Sequence, residues 1–380
     1  MTERPYQICR QLVMDTSDPT ITFTADGVCH HYADFQVNVR PHWHPNAEGR
    51  RVLEATVAEI RRLGRGKSFD CLLGLSGGLD SSYMLHLMVT EFGLRPLVFH
   101  VDGGWNTDTA VHNINALIEG LGLDLVTEVI NWDEMRDFQL AMFKAGVPHL
   151  DIPQDHAFVA VLYRFAREYR VPFILNGGNI STECVPIPVD LLYWGTDLRH
   201  IRDLLRRFGT VPMRTYPFSS ALYHKGWLRY VQGVRVVKPL NQVPFIKAEA
   251  MDLLARTYGW KPYPQKHFES RFTRFFEGYW LPTRFGFDLR RVQFSSLILT
   301  GQMTRDEAIT RLTEPPYDPS LIDQDFSFVA DKLGISVAQL REYHAMPRRS
   351  YRDYRHQRWL FDLGERVLQL ASGTRRGGAL

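Results

Sequence analysis

Gly74-Leu-Ser-Gly-Gly-Leu-Asp-Ser-Ser82 is the stretch on which the reading of this chain turns. Before it lies Ser68-Phe-Asp-Cys-Leu-Leu73, a short apolar run of the kind that forms a buried strand. After it lies Tyr83-Met-Leu-His-Leu-Met-Val89, which reads as a buried helix. Strand, glycine-rich turn and helix together make an anion cradle. Glycines let backbone N–H groups approach the anion closely, and the helix N-terminus adds a favourable dipole. Read without context, the same residues are a turn at a strand–helix junction. The Lys-Ser/Thr ending of a Walker A loop is absent.

Outward from this stretch, strands and helices alternate. Strands are expected over 96–101, 124–130 and 171–175, and helices over 48–63, 109–121, 132–145 and 155–169. Such alternation implies a parallel sheet covered on both faces by helices. Ligands of these sheets bind beyond the carboxyl ends of the strands. Ser76, Asp102 and Asn176 all fall at such ends, so they are expected to converge. After about Pro186 the alternation stops. Helices are expected over 191–208, 244–258, 288–300, 304–312, 336–343 and 352–370, with Thr304 and Ser336 as N-caps. At the other end, residues 20–24 alternate like a strand, and Ala25-Asp-Gly27 closes a hairpin.

The chain has 380 residues, 44% of them hydrophobic and 23% charged, with a net charge of +3. That is an ordinary globular balance, and the charge alone makes no case for nucleic acid. No apolar run is long enough to span a bilayer, and the N-terminus lacks the apolar core of a signal peptide. The four cysteines, Cys9, Cys29, Cys71 and Cys184, are widely spaced and do not form a disulfide pattern, so the expected compartment is the cytoplasm.

The run Ser-Gly-Gly-x-Asp-Ser at 76–81 resembles the signature of the PP-loop ATP pyrophosphatases. In that reading Ser76, Gly77, Gly78, Ser81 and Ser82 bind phosphate, and Asp80 holds Mg²⁺ against it. Asp102, and Asn176-Gly177-Gly178 in a second glycine-rich turn, border the nucleotide. Lys266, His267, Arg271 and Arg274 are catalytic candidates: cations for charge developing at the α-phosphorus, and an imidazole to orient an amide or move a proton. Cys184 reads as structural and Cys71 as buried and inert.

Several longer stretches resemble the N-acetyl sugar amidotransferases. They are Cys9–Pro19, Asp26–Cys29, His100–Asn106, Asn176–Glu183, Lys266–Arg274, Phe285–Arg291 and Ser295–Arg305. Members of that family turn an acetamido group into an acetamidino group in O-antigen and nonulosonic-acid pathways. The resemblance implies an α/β protein: a hairpin module (1–45), a PP-loop domain (46–245) and a helical substrate and partner region (246–380). It further implies ATP and Mg²⁺, a nucleotide-sugar substrate, and ammonia from a separate triad glutaminase. None of the four cysteines lies in a Gly-x-Cys-x-Gly elbow.

One departure from the family pattern concerns zinc. The hairpin has one cysteine where each family pair has two, with Leu12 and Tyr32 in the vacated places. Four N/S ligands are normal for structural zinc. Cys9 and Cys29 with His30 or His31 make an unusual set, so packing is expected to replace the metal. The alternatives are an RNA-modifying PP-loop enzyme, with Arg348, Arg349, Arg352, Arg355 and Arg358 as its basic module, or a nucleotide-binding pseudoenzyme. Neither a membrane nor a nucleic-acid partner is expected.

Overall fold

The computed structural model describes residues 4–372. After a turn-rich N-terminus come α1 (His30–Asp34) and α2 (Ala47–Gly64). The sheet region then runs β1 (Cys71–Gly74), α3 (Leu79–Thr90), β2 (Pro96–Asp102), α4 (Asp108–Leu121), β3 (Leu125–Val129), α5 (Trp132–Ala145), α6 (Ile152–Glu168) and β4 (Phe173–Leu175). It continues through α7 (Ile180–Glu183), α8 (Leu198–Phe208) and β5 (Arg235–Val237) to α9 (Lys247–Tyr258). The C-terminal helices are α10 (Arg271–Phe275), α11 (Arg290–Leu299), α12 (Arg305–Thr313), α13 (Ile322–Leu333), α14 (Val337–Ala345) and α15 (Arg358–Ser372).

All five strands are parallel, in the order β3-β2-β1-β4-β5. Residues of β1 alternate between two cores, because a strand sends successive side chains to opposite faces. Cys71, Leu73 and Leu75 join Ile60, Met84, Met88, Leu117 and Leu254 on one face. Leu72 joins Phe138, Met142, Phe165 and the C-terminal aromatics Phe272, Trp280 and Phe326 on the other. Both faces are covered, which is why this strand reads as an unbroken apolar run.

The N-terminus departs from expectation. Residues 20–24 form no strand ladder; isolated bridges join Ile8 to Asp15 and Phe23 to Cys29. Side chains take backbone donors a ladder would use: Asp18 accepts from the Thr20 N–H and His30 Nδ1 from the Thr22 N–H. The expected turn is present, with Gly27 at φ +74° donating to the Thr24 carbonyl. The module is tied to the C-terminal helices. Arg305 donates to the carbonyls of Cys9 and Leu12, and Arg291 donates to Val13 and pairs with Asp15.

Thr304 and Ser336 cap α12 and α14 as expected. The helix expected over 191–208 begins only at Leu198, because the Asp197 carboxylate caps it by accepting from Arg199 and His200 N–H. The helix expected from 352 begins at Arg358, since a Ser350–Asp353 capping box closes a single tight turn first. Strand β5, helices α1, α7, α10 and α13, and the π-helical stretch Phe276–Phe285 were not legible in the sequence.

Candidate active site

Strand order reverses between β1 and β4: β2 and β3 lie on one side, β5 on the other. The loops leaving the ends of these two strands, 75–78 and 176–179, therefore splay apart, and a crevice opens between them. A cavity of about 270 Å³ lies there, walled by both loops, by Lys266, His267 and Glu269, and by α11.

The loop after β1 has the form an anion requires. Gly77 sits at φ +80°, and a Cβ on it would stand 2.8 Å from the Ala110 carbonyl oxygen. Only glycine fits there. Gly78 leads directly into α3, so the N-terminal N–H groups of that helix face the loop. The Ser76 and Ser81 hydroxyls lie 3.2 Å apart, and both residues line the cavity. Across it, a Cβ on Gly177 would stand 3.2 Å from the Ser81 backbone nitrogen, so the second glycine turn permits this close approach.

Lys266 completes the centre. Its Nζ donates to Asp80 Oδ2 at 2.6 Å and to Thr182 Oγ1 at 3.2 Å, and pairs with Glu183 Oε1 at 2.6 Å. Burial disfavours its charge, but the two carboxylates outweigh burial and raise its pKa. Burial likewise opposes the Glu183 charge, and Lys266 outweighs it, so the Glu183 pKa is lowered. Two carboxylates thus converge on one cation.

His267 takes a left-handed backbone, φ +67°, and its Nδ1 bonds Glu277 Oε1 at 3.0 Å. Burial alone would lower its pKa; the Glu277 charge and hydrogen bond hold it at about 10. At neutral pH it is an imidazolium, a donor and not a base. Glu269 lies against the anion loop: Ser76 Oγ donates to its Oε1 at 3.5 Å, and a Cβ on Gly78 would stand 2.8 Å from that oxygen. Burial raises its pKa above the usual carboxylate value. Lys247 also lines the cavity, its pKa lowered by burial and then by Lys266.

Several expected site residues lie elsewhere. Arg271 and Arg274 turn away from the cavity. Both guanidiniums pair with Asp325, a fully buried carboxylate on α13, at 2.8 Å. Arg271 also stacks on Phe328, 3.6 Å from its ring centre. These arginines brace α10 against α13. Ser82 is fully buried in α3 and does not line the cavity. Asp102 Oδ1 accepts from the Gly104 N–H at 2.7 Å and from the Asn106 amide at 3.2 Å, closing its own turn outside the cavity wall. Asn176 accepts from the Gly178 N–H at 2.7 Å and shapes its loop, while Gly177 and Gly178 line the cavity.

None of the four cysteines lines the cavity. Burial raises the Cys184 pKa to about 12, which disfavours its thiolate. Among the described residues no three His, Cys, Asp or Glu side chains converge as a metal-binding group. Cys9 and Cys29 are buried against each other, with the Cys29 N–H donating to Cys9 Sγ, while His31 turns to Asp18 at 2.9 Å.

Glu183, Glu269, Glu277, Thr182 and Lys247 carry parts of the site that sequence reasoning did not single out. One signal was available for Glu183. It follows the cap residue Asn179 by four positions, placing it one turn into a helix that starts at the second glycine loop.

The five-stranded parallel sheet, with an SGGxDS anion loop after its central strand, is the α/β architecture that the PP-loop resemblance implies. Residues 269–368 match the family described as LPS biosynthesis protein WbpG-like, C-terminal domain. The match covers about a quarter of the chain, at its C-terminal end, and includes part of the Lys266–Arg274 stretch noted above. No curated protein matches it. Among solved structures it is similar to an NH3-dependent NAD synthetase from Campylobacter jejuni subsp. jejuni NCTC 11168, in complex with nitrate. The identity is 16%, over 79% of this chain and 98% of that one, with a TM-score of 0.31. It is also similar to an NMN synthetase from Francisella tularensis, at 15% identity over 79% and 96% of the two chains, TM-score 0.32. A NAD+ synthetase from Burkholderia pseudomallei matches at 17% identity over 61% and 99%, TM-score 0.29. These scores are low; strand order and loop geometry are what define the fold.

Proposed function

We propose that this chain is an ATP-dependent amidotransferase. It activates the N-acetyl oxygen of a nucleotide-linked sugar with AMP and replaces that oxygen with ammonia, giving an acetamidino sugar for surface polysaccharide. One observation carries the reading: the Ser76–Ser81 anion loop faces Lys266 across a single cavity, and Asp80 and Glu183 share the lysine's ammonium.

The chemistry explains why such a site is needed. An amide carbon is a poor electrophile and its oxygen a poor leaving group. In the proposed sequence the amide oxygen attacks the α-phosphorus and pyrophosphate departs. Ammonia then adds to the carbon, AMP leaves with the original oxygen, and a proton is released. The Ser76 and Ser81 hydroxyls and the α3 N-terminus bind the phosphates. Lys266 and the His267 imidazolium offset negative charge developing on phosphate oxygens. The apolar wall of α11, Phe294 and Leu297, limits water around the activated amide.

Asp80 and Glu183 are two carboxylates that already converge on a cation, and this donor chemistry fits Mg²⁺. Bound there, Mg²⁺ would supply charge neutralisation for the pyrophosphate group. The chain's cysteines offer no glutaminase nucleophile, so a separate triad glutaminase supplies ammonia in this reading. ATP and nucleotide sugars place the reaction in the cytoplasm. Among the described residues no helix is long and apolar enough to cross a membrane.

The RNA-modifying alternative has less support. Arg352 and Arg358 of its basic module pair with Asp190, and burial raises the pKa of the partly buried Cys184 thiol. Retention of Asp80 and of the Ser76–Ser81 pair speaks against a pseudoenzyme. Mass spectrometry of UDP-N-acetyl sugars incubated with the chain, ATP, Mg²⁺ and ammonium tests the proposal. A product lighter by the difference between O and NH supports it; unchanged sugar across a panel of such substrates contradicts it.

A further inference from the structure

We infer that Trp260, Tyr263 and Asn113 are positioning residues that set the direction of the Gly77–Gly78 peptide, so that its N–H faces the anion. The inference rests on reading 76–82 as the phosphate loop. Glycine on both sides leaves this peptide free to rotate, since neither residue has a Cβ to restrict it. A flipped peptide would aim a carbonyl oxygen at the phosphate and turn a donor into a repulsive acceptor. Something outside the loop must hold it.

Three donors do so. The Gly77 carbonyl accepts from Trp260 Nε1 at 3.2 Å, from the Tyr263 hydroxyl at 3.2 Å and from Asn113 Nδ2 at 3.4 Å. Carbonyl and N–H of one trans peptide point in opposite directions. With the carbonyl held toward α4, the Gly78 N–H points back into the loop, where it donates to Ser76 Oγ at 3.2 Å.

The donors are themselves fixed. Asn113 is fully buried on α4. Its Oδ1 accepts from the Lys261 N–H at 2.7 Å, and its Nδ2 donates to the Lys261 carbonyl at 2.8 Å. This two-way clasp pins the segment after α9 to α4. Trp260 is 3% exposed, and its ring meets that of Tyr263 edge-on, 5.8 Å between centres. Gly77 is also wedged against the first turn of α4, as its contact with Ala110 shows. The clamp therefore comes from both sides of the loop, through residues far from it in sequence.

The test uses Tyr263→Phe, Trp260→Phe and the double variant, each of which removes a donor and keeps an aromatic ring. Pyrophosphate and adenosine are the probes, with binding followed by calorimetry, because the Gly78 N–H serves only the phosphate part. Losing one net hydrogen bond's worth of orientation should weaken pyrophosphate binding about three- to tenfold in each single variant. The double variant should lose more than the product of the two, since only the longest donor remains. Adenosine affinity should stay unchanged, a split that general destabilisation would not produce. If Trp260→Phe fails to fold, the half-buried Tyr263→Phe carries the test alone. Ser81→Ala is the control for the loop itself. If Ser81→Ala leaves pyrophosphate binding intact, the phosphate-loop reading fails and this inference with it. If Ser81→Ala weakens binding but the aromatic variants do not, the loop reading stands and the clamp is overturned.

Discussion

Lys266 Nζ lies 2.6 Å from Asp80 Oδ2, although 186 residues of chain separate them. This contact joins the segment just before α10 to the first turn of α3. It makes the site a product of both parts of the chain. The same ammonium reaches Glu183 on α7, so three elements meet at one charge.

Asp80 should be indispensable to chemistry and dispensable to folding. Asp80→Ala removes a carboxylate suited to Mg²⁺ and is expected to lower AMP formation on the order of a hundredfold or more. The thermal transition should change little. AMP release at the parent rate would remove Asp80 from the reaction.

Lys266 should matter to folding as well as to chemistry, because its loss leaves two carboxylates facing each other in a partly buried place. Lys266→Met should cost about 3 kcal/mol of stability by urea unfolding, and Lys266→Met with Glu183→Gln should recover part of it. Catalysis should stay low in both. Stability equal to the parent in the single variant would show that the ion pairs contribute nothing.

His267 is expected to titrate near pH 10, where the Glu277 pair holds it. Its folded pKa lies above the ordinary histidine value of 6.5. Its contribution to stability is therefore complete below pH 6.5 and is lost as pH rises through about 10. Imidazole resonances followed by NMR should show this titration, and Glu277→Gln should move it downward. A His267 that titrates near 6.5 in the parent protein would contradict the pair.

Arg271 should behave as a brace. Arg271→Ala leaves Asp325 with Arg274 alone and should cost about 2 kcal/mol of stability. The kcat of the folded fraction should hold. A collapse of kcat at unchanged stability would return Arg271 to the catalytic centre.

The misplacement of Arg271 shows where sequence reading stopped. The sheet was legible because β1, its loop and α3 each carry a local pattern, and because both-face burial gives unbroken apolar runs. Ser76, Gly78, Asp80 and Ser81 were legible because their spacing fixes where a helix start can present them. Lys266 was legible only as a cation in a suggestive run. Nothing in that run tells which way α10 faces. Ser270 caps α10, and Arg271 and Arg274, three residues apart, share the side turned to Asp325. Ser82 next to Ser81 fell on the buried side for the same reason. Glu269 acquires meaning only from Ser76, far from it in sequence, and Glu277 only from the fold that brings it back onto His267. Strand β5 has three residues, too few to show a period. The strand expected over 20–24 alternates correctly, yet Asp18 and His30 capture the backbone donors of Thr20 and Thr22, a competition that hydrophobic pattern does not register.

The fate of the N-acetyl oxygen tests the central claim most directly. A nucleotide sugar labelled with oxygen-18 in its acetyl group is incubated with the chain, ATP, Mg²⁺ and ammonium at alkaline pH. The nucleotide products are then examined by mass spectrometry. Activation at the α-phosphorus predicts that the label appears in AMP, in step with acetamidino sugar and unlabelled pyrophosphate. ADP as the product, or label retained in the sugar while AMP accumulates, would contradict it.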